Sequence, residues 1–338
     1  MHLKSLNDAP RLLLEADLSP VAGQRFQPTG FADLGAAEYK LPDGTAMLLV
    51  ESAQSVANRL EKTCLDGDGP EIEPALAGLP YVVAGLDGAG SAIATSSLVE
   101  AHRIGSPYFL LNNDFRNTLI EEMGYNPKLP LDWKKIYATL FKYDTNSLVH
   151  GVFLSLLEGG RVRAPRAITG FIEASKVERV VSGGVKNSPV DPTGKMQVVE
   201  GKTSESGVYS NVPYARVEYV AERITAYFNL DLALIRGYRL GSDASNLLIA
   251  LALLKVRRFL DTSLRLRTAC DFQLNSVCAK APADFVLPAE ADLLSAVQSG
   301  IQACAPLFAK PAVTRLRTKV KIVEKEKAAS GSKAGAQQ

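Results

Sequence analysis

Six basic residues, Arg161, Arg163, Arg166, Lys176, Arg179 and Lys186, stand against only Glu173 and Glu178 between positions 161 and 186. This local excess of +4 runs straight into a glycine-bearing stretch in which Gly183 and Gly184 precede Lys186 and Asn187. Arginine forks pair bidentately with phosphate oxygens, and glycine lets main-chain amides approach an anion closely. The chemistry this composition suits is the holding of a phosphate backbone, with an ordinary solvated surface as its bland rival. A second excess of +4 spans Lys255 to Arg267.

Catalytic patterns are missing. Gly201-Lys202-Thr203 would need a glycine at 196 to close a P-loop, and Met196 stands there. Gly85, Gly88 and Gly90 reverse the dinucleotide-binding spacing and read as a turn. There is no G-x-S-x-G elbow, and His2, His102 and His150 leave few candidates for a general base. Cys64, Cys270, Cys278 and Cys304 form no C-x-x-C pair and have no histidine at ligand spacing. Neither a zinc site nor a cofactor is expected, and the thiols read as reduced and buried in a cytosolic setting.

Length and composition bound the class. The 338 residues are 46% hydrophobic and 22% charged, which excludes wholesale disorder and coiled coil. The longest apolar run, Leu247 to Leu254, is broken by Lys255 and falls far short of the roughly 20 residues a membrane span needs. Asp8, Glu15 and Asp17 surround the short run Leu12–Leu14, so the expectation is no signal peptide and a cytoplasmic location. The formal charge of +2 divides unevenly, +6 from Ala309 onward and −4 before it. Any nucleic-acid surface must therefore be local.

The elements that must position the basic residues follow from periodicity. Arg11–Leu18 reads as a first strand. Glu38–Leu41 and Ala46–Val50 flank Pro42-Asp43-Gly44 as a hairpin. Ser52 offers an N-cap for a helix to Cys64, with Ala53, Val56, Ala57, Leu60 and Cys64 on its apolar stripe. Helices are expected over Asp132–Lys142 and Asn146–Glu158, the second stopped by Gly159-Gly160. Of the 32 residues from Ser182 to Pro213, 16 are Gly, Ser, Pro, Asn or Asp, too many for a packed element. Short β-capable pieces, Met196–Val199 and Val208–Tyr214, suggest an extended glycine-rich hairpin there. Alternation over Arg223–Leu234, an apolar helix from Ser242 or Asp243 to about Leu260, and alternation over Leu264–Leu274 give strand, helix, strand.

The fold class expected is α+β, an RRM-like or ferredoxin-like core with large insertions. Residues 1–313 are expected to form this one core, with a helical insertion at about 95–160 and an extended hairpin insertion at about 182–214. Residues 314–338 are expected to be a basic, largely disordered tail. The aromatic run of an RRM is absent, so RNA would be held by backbone and shape.

Five stretches, Arg11–Leu18, Arg25–Phe31, Glu51–Glu61, Val181–Asn187 and Ala226–Gly237, occur in the order of one family. The chain resembles the RAMP-type CRISPR backbone subunit of the type I-G (formerly I-U) Cascade over about residues 10–310. The resemblance implies a subunit that is not an enzyme. It would polymerise along CRISPR RNA, fold its thumb over the strand, and present the bases for pairing with target DNA. Further copies of itself, other Cascade subunits (the RNA-processing foot and large subunits) and a separate helicase-nuclease are the implied partners, with no membrane.

Such subunits set their first helix against the RNA, which makes Gln54, Ser55, Asn58 and Arg59 candidates. Gly183, Gly184, Lys186 and Asn187 would act at the thumb base. Arg25, Phe26 and Gln27 would line the same groove, although Phe26 equally suits a core anchor. Arg161, Arg163, Arg166, Lys176 and Arg179 complete the RNA-binding set. The alternative is a RAMP-type endoribonuclease acting on target RNA through a loop aspartate, for which Asp33, Asp191 and Asp243 stand in or next to loops without a recognisable motif.

Overall fold

Period-two alternation sets the first strand, β1 (Arg11–Pro20): Leu12, Leu14, Ala16 and Leu18 are buried, and Leu13 on the other face is exposed. The computed structural model describes residues 4–31, 33–86, 93–190, 193, 197–200, 203–206, 211–262 and 264–319. After β1 come the two-residue strands β2 (Gly30–Phe31) and β3 (Gly35–Ala36), then the hairpin β4 (Glu38–Lys40) and β5 (Ala46–Glu51). Helix α1 (Ala53–Lys62) and strands β6 (Tyr81–Leu86) and β7 (Thr95–Ser96) follow. A helical segment comes next, α2 (Pro107–Leu110), α3 (Asn113–Glu122), α4 (Trp133–Tyr143) and α5 (Thr145–His150), leading into β8 (Val152–Phe153) and β9 (Arg163–Ala164).

The second half opens with β10 (Ile168–Lys186), the small hairpin β11 (Gln197–Glu200) and β12 (Thr203–Ser206), and β13 (Val212–Asp231). It ends with α6 (Leu232–Gly237), α7 (Ser242–Thr262), β14 (Arg265–Arg267), β15 (Cys270–Ala281), α8 (Glu290–Cys304) and β16 (Val313–Thr318). The main sheet has seven strands in the order β14-β15-β1-β13-β10-β5-β4, every pair antiparallel. The chain is thus α+β, with its helices packed on an antiparallel sheet.

Helices α1 and α7 pack against each other and against this sheet. Val56 and Leu60 of α1 and Phe259 of α7 join Ile172, Ala226 and Phe228 in the core, Phe228 meeting Phe259 edge to face at 6.1 Å. Ser52 caps α1 as expected, its side chain accepting from Ser55 N, an arrangement worth about 1 kcal/mol. Strands β10 and β13 stay in register from Ile168↔Leu230 to Lys186↔Val212. Yet β5 accompanies β10 only to Ser175, and β1 accompanies β13 only to Ile224. Beyond those points the pair continues as a two-stranded ribbon, touched at Tyr219 by the Phe26 bridge. Lys176, where the ribbon leaves the sheet, has φ +51, in the left-handed region that side chains rarely enter.

Several expectations need correction. The helix expected over Asn146–Glu158 stops at His150, because Gly151 takes φ +79 and the chain turns back. The strand expected through Leu234 ends at Asp231, whose carboxylate accepts from Leu234 N at 2.8 Å and caps α6. The strand expected over Leu264–Leu274 is a hairpin broken at Ala269, φ +57. Thr314–Thr318, expected in the tail, instead complete a strand from Val313 that pairs in parallel with β6. Cys278 is exposed, unlike the other three cysteines. Residues 320–338 of the basic tail, Gly88, Gly90, Asp191 and much of the loop between 191 and 210 lie outside the described residues.

Candidate nucleic-acid interface

The root of the ribbon borders a groove of about 1050 Å³, lined by Gln27, Arg179, Tyr214, Arg216 and Arg267 and closed on one side by the β2–β3 turn. Gln27 sits at its centre. Its side-chain oxygen accepts from Arg216 Nε at 3.0 Å and its main-chain carbonyl from Arg267 Nη1 at 3.1 Å. Arg267 also pairs with Glu51, a carboxylate whose side chain is only 1% exposed, and Arg59 approaches the same carboxylate at 3.4 Å. Arg216, Arg267 and Tyr214 were not among the candidates read from the sequence. Arg267 lies in the second basic excess, but Arg216 is a single cation among apolar strand residues and carries no local signal.

The expected cations divide by what holds them. Arg25 pairs with Glu218 at 3.3 Å, Lys176 with Glu222 at 2.9 Å, and Arg179 with Glu38 at 2.7 Å, so each is partly neutralised. Arg59 is tied to Glu51 and to the carbonyls of Arg265 and Leu266, bracing α1 against β14. Arg161 and Arg166 are held by uncharged groups instead. Arg161 donates to the carbonyls of Pro127 and Leu129 at 2.8 and 3.0 Å. Arg166 donates to His150 O at 3.2 Å, Ala53 O at 3.4 Å and Gln54 Oε1 at 3.0 Å. Burial pulls the Arg166 guanidinium below its ordinary pKa, far too little to remove its charge. A guanidinium fixed on carbonyls keeps its full charge and a set orientation. Arg163 lies exposed over the Phe153 ring, 4.5 Å from its centroid. Lys186 ends β10 and is exposed, with exposed Asn187 after it.

Phe26 is corrected outright. It is 1% exposed, meets Phe272 edge to face at 5.6 Å, and exchanges main-chain hydrogen bonds with Tyr219. It is a core anchor that fixes Arg25 and Gln27 on either side of it. On α1, Gln54 and Asn58 are exposed and bonded to each other at 3.0 Å, while Ser55 donates to buried Glu51. Gly183 and Gly184 sit within the ladder opposite Ala215 and Tyr214. A Cβ at 184 would stand 2.9 Å from the Tyr214 hydroxyl and 3.1 Å from its ring, so the glycine makes room for the tyrosine.

The structure therefore brings Gln54, Asn58 and Arg166 together at the start of α1, and Gln27, Arg179, Arg216 and Arg267 together at the ribbon root. Arg161 stands apart, against the helical segment. Of the candidate aspartates, Asp33 is exposed and Asp243 lies in the first turn of α7. Among the described residues no group of three or more His, Cys, Asp or Glu could hold a metal ion, and no helix is long and apolar enough to cross a membrane.

Three solved structures match this chain at low similarity. A chain of a CRISPR RNA-guided surveillance complex in a pre-nicking state has a TM-score of 0.40 and 12% identity, covering 80% of this chain and 77% of that one. A second CRISPR RNA-guided surveillance complex chain gives 0.34 and 12%, covering 88% of each. The crystal structure of Thermofilum pendens Csc2 gives 0.31 and 10%, covering 90% and 79%. No curated protein matches in sequence. The family model described as CRISPR-associated protein GSU0053 matches residues 12–179, from β1 to Arg179 at the ribbon root.

Proposed function

We propose that this protein is a CRISPR RNA-binding backbone subunit of a type I Cascade surveillance complex, of the I-G subtype, that polymerises along the spacer RNA and presents it to target DNA. The family-model match over residues 12–179 supports the CRISPR setting. The observation that carries the RNA-holding reading is the groove at the ribbon root, where Arg216 and Arg267 hold Gln27, Arg179 lines the same wall, and each arginine is oriented by a carboxylate, Glu218, Glu51 and Glu38. Cations that are held in fixed orientations bind a phosphate backbone without reading its sequence.

The palm is read as RRM-like. Its long strands follow in the chain as β1, β10, β13 and β15 but lie in the order β15-β1-β13-β10, with α1 after the first and α7 after the third. That is the β-α-β-β-α-β pattern of ferredoxin-like folds. The ribbon is the thumb. Copies would meet head to tail, an arrangement that generates open helical filaments. We read the chain as a cytoplasmic subunit that cuts neither RNA nor DNA, leaving degradation to a separate helicase-nuclease.

The test is reconstitution with CRISPR RNAs of increasing spacer length, followed by mass measurement. Complex mass should grow with spacer length, and the purified assembly should absorb strongly at 260 nm. A constant small mass rejects the backbone reading. Metal-dependent RNA cutting by the chain alone, abolished at Asp33 or Asp243, would establish the endoribonuclease alternative.

A further inference from the structure

A relay of polar groups runs from the middle of α7 to the exposed start of α1. It begins at Lys255, which is fully enclosed in an otherwise apolar stretch of helix. Its Nζ donates to Asn146 Oδ1 and lies 3.0 Å from His150 Nε2. Asn146 Nδ2 donates to Glu61 Oε1 at 2.6 Å. Arg103 grips the same carboxylate with two prongs, Nε to Oε1 at 2.7 Å and Nη2 to Oε2 at 2.8 Å, and reaches Gly151 O with Nη1 at 3.0 Å. From here the main chain carries the relay outward. His150 O receives Arg166, Arg166 donates to Gln54, and Gln54 donates to Asn58.

Two backbone features show how tightly this junction is set. Arg103 holds φ +51, which costs energy for a residue with a side chain. Gly151 has φ +79, and a Cβ there would stand 3.0 Å from Arg166 N and 3.1 Å from Ala164 O, so a side chain would be strained and would crowd both backbone segments. A buried ion pair is on average no better for stability than apolar residues of the same volume. What it fixes is geometry. Here it joins α1, the helical segment and α7, three elements whose apolar faces alone would tolerate sliding.

We propose that Glu61 and Arg103 are positioning residues for the nucleic-acid face of α1, acting through Asn146, His150 and Arg166 on Gln54. The proposal rests on the RNA-binding reading above. The ion pair seats the helical segment on the palm in one register, and that register places the Arg166 guanidinium against the first turn of α1.

Glu61→Gln keeps the side-chain shape and removes the charge that Arg103 grips. Asn146→Ala removes the arm that links Glu61 through Lys255 to His150, leaves the ion pair and the Arg103–Gly151 contact intact, and tests that arm if the first variant does not fold. Each is measured for binding to labelled single-stranded RNA of two unrelated sequences, alone and combined with Arg166→Ala. Each should weaken binding roughly threefold or more with Arg166 present, and have no further effect once Arg166 is alanine. Equal losses in both backgrounds, or folded variants with unchanged affinity, overturn the proposal, because a purely structural defect is blind to Arg166. Hydrogen exchange needs no RNA. The Ser55 and Val56 amides in the first turn of α1 should exchange faster in both variants, and unchanged exchange also overturns the proposal. A wild-type protein that binds no RNA while its exchange responds as expected would overturn the RNA-binding reading instead.

Discussion

Arg179 Nε donates to the Glu38 carboxylate at 2.7 Å, tying the root of the ribbon to the β4–β5 hairpin and cancelling one cation of the groove. The Arg179 hydrogen bond, aided by one from Tyr219, holds the Glu38 carboxyl below its ordinary pKa, so the pair stays ionised. Glu38→Gln should therefore strengthen RNA binding and steepen its salt dependence, by roughly 0.7 in slope if one more phosphate is held. Because the pair is largely in solvent, stability should hardly move. A titration at several salt concentrations checks this, and an unchanged slope rejects it.

Cations that meet no carboxylate among the described residues should behave as phosphate contacts. Replacing Arg163, Arg166 or Lys186 by alanine should weaken binding about equally for unrelated RNA sequences and lower the salt slope by roughly 0.7 each. Arg25→Ala and Lys176→Ala should do less, since Glu218 and Glu222 already balance those charges. Losses that depend on RNA sequence would point to base readout instead.

Phe26→Ala tests the corrected role of that residue. Removing a buried ring packed on Phe272 should cost about 3–5 kcal/mol of unfolding free energy. Denaturant midpoints measure it. A folded, fully stable variant with weakened RNA binding would restore the groove assignment.

Shortening the chain between Lys186 and Val212 separates holding from presentation. The core lies in the palm, so the melting temperature should change little, and RNA should still bind. Capture of target DNA should fail. Intact capture, measured by gel shift with the assembled complex, rejects the thumb reading.

The buried junction also predicts a pH dependence with two opposing parts. Asp144 is enclosed between Ser147, Glu61, Arg103 and Lys255, and burial raises its carboxyl from 3.8 to about 7. The folded protein then keeps a proton that the unfolded chain has released, so this group's stabilisation is lost as pH rises from about 4 to about 7. Burial, with Lys255, Arg103 and Arg166 nearby, holds His150 well below 6.5, so its stabilisation is lost as pH falls below that value. Asp144→Asn should leave only the second trend, giving stability that rises with pH between about 4 and 7. Urea midpoints at three pH values decide it. A wild-type and variant with parallel pH profiles would refute the assignment.

Local patterning already determines much of this protein. Alternation at Leu12, Leu14, Ala16 and Leu18 specifies a half-buried strand, and Ser52 ahead of Val56 and Leu60 specifies a capped amphipathic helix, because both depend only on neighbours in the chain. The crowding of arginines after position 160 is likewise readable. Only the tertiary structure decides which of those cations is available. Arg179 and Arg59 meet carboxylates far away in sequence, whereas Arg166 meets carbonyls, and charge neutralisation depends on distance in space. The same reason hides Arg216 and Arg267, which converge on Gln27 from strands far apart in the chain. It also hides Arg103 and Lys255. A lone arginine in a loop and a lone lysine interrupting an apolar helix look like surface charges until folding encloses them, and burial is a property of the whole packed chain.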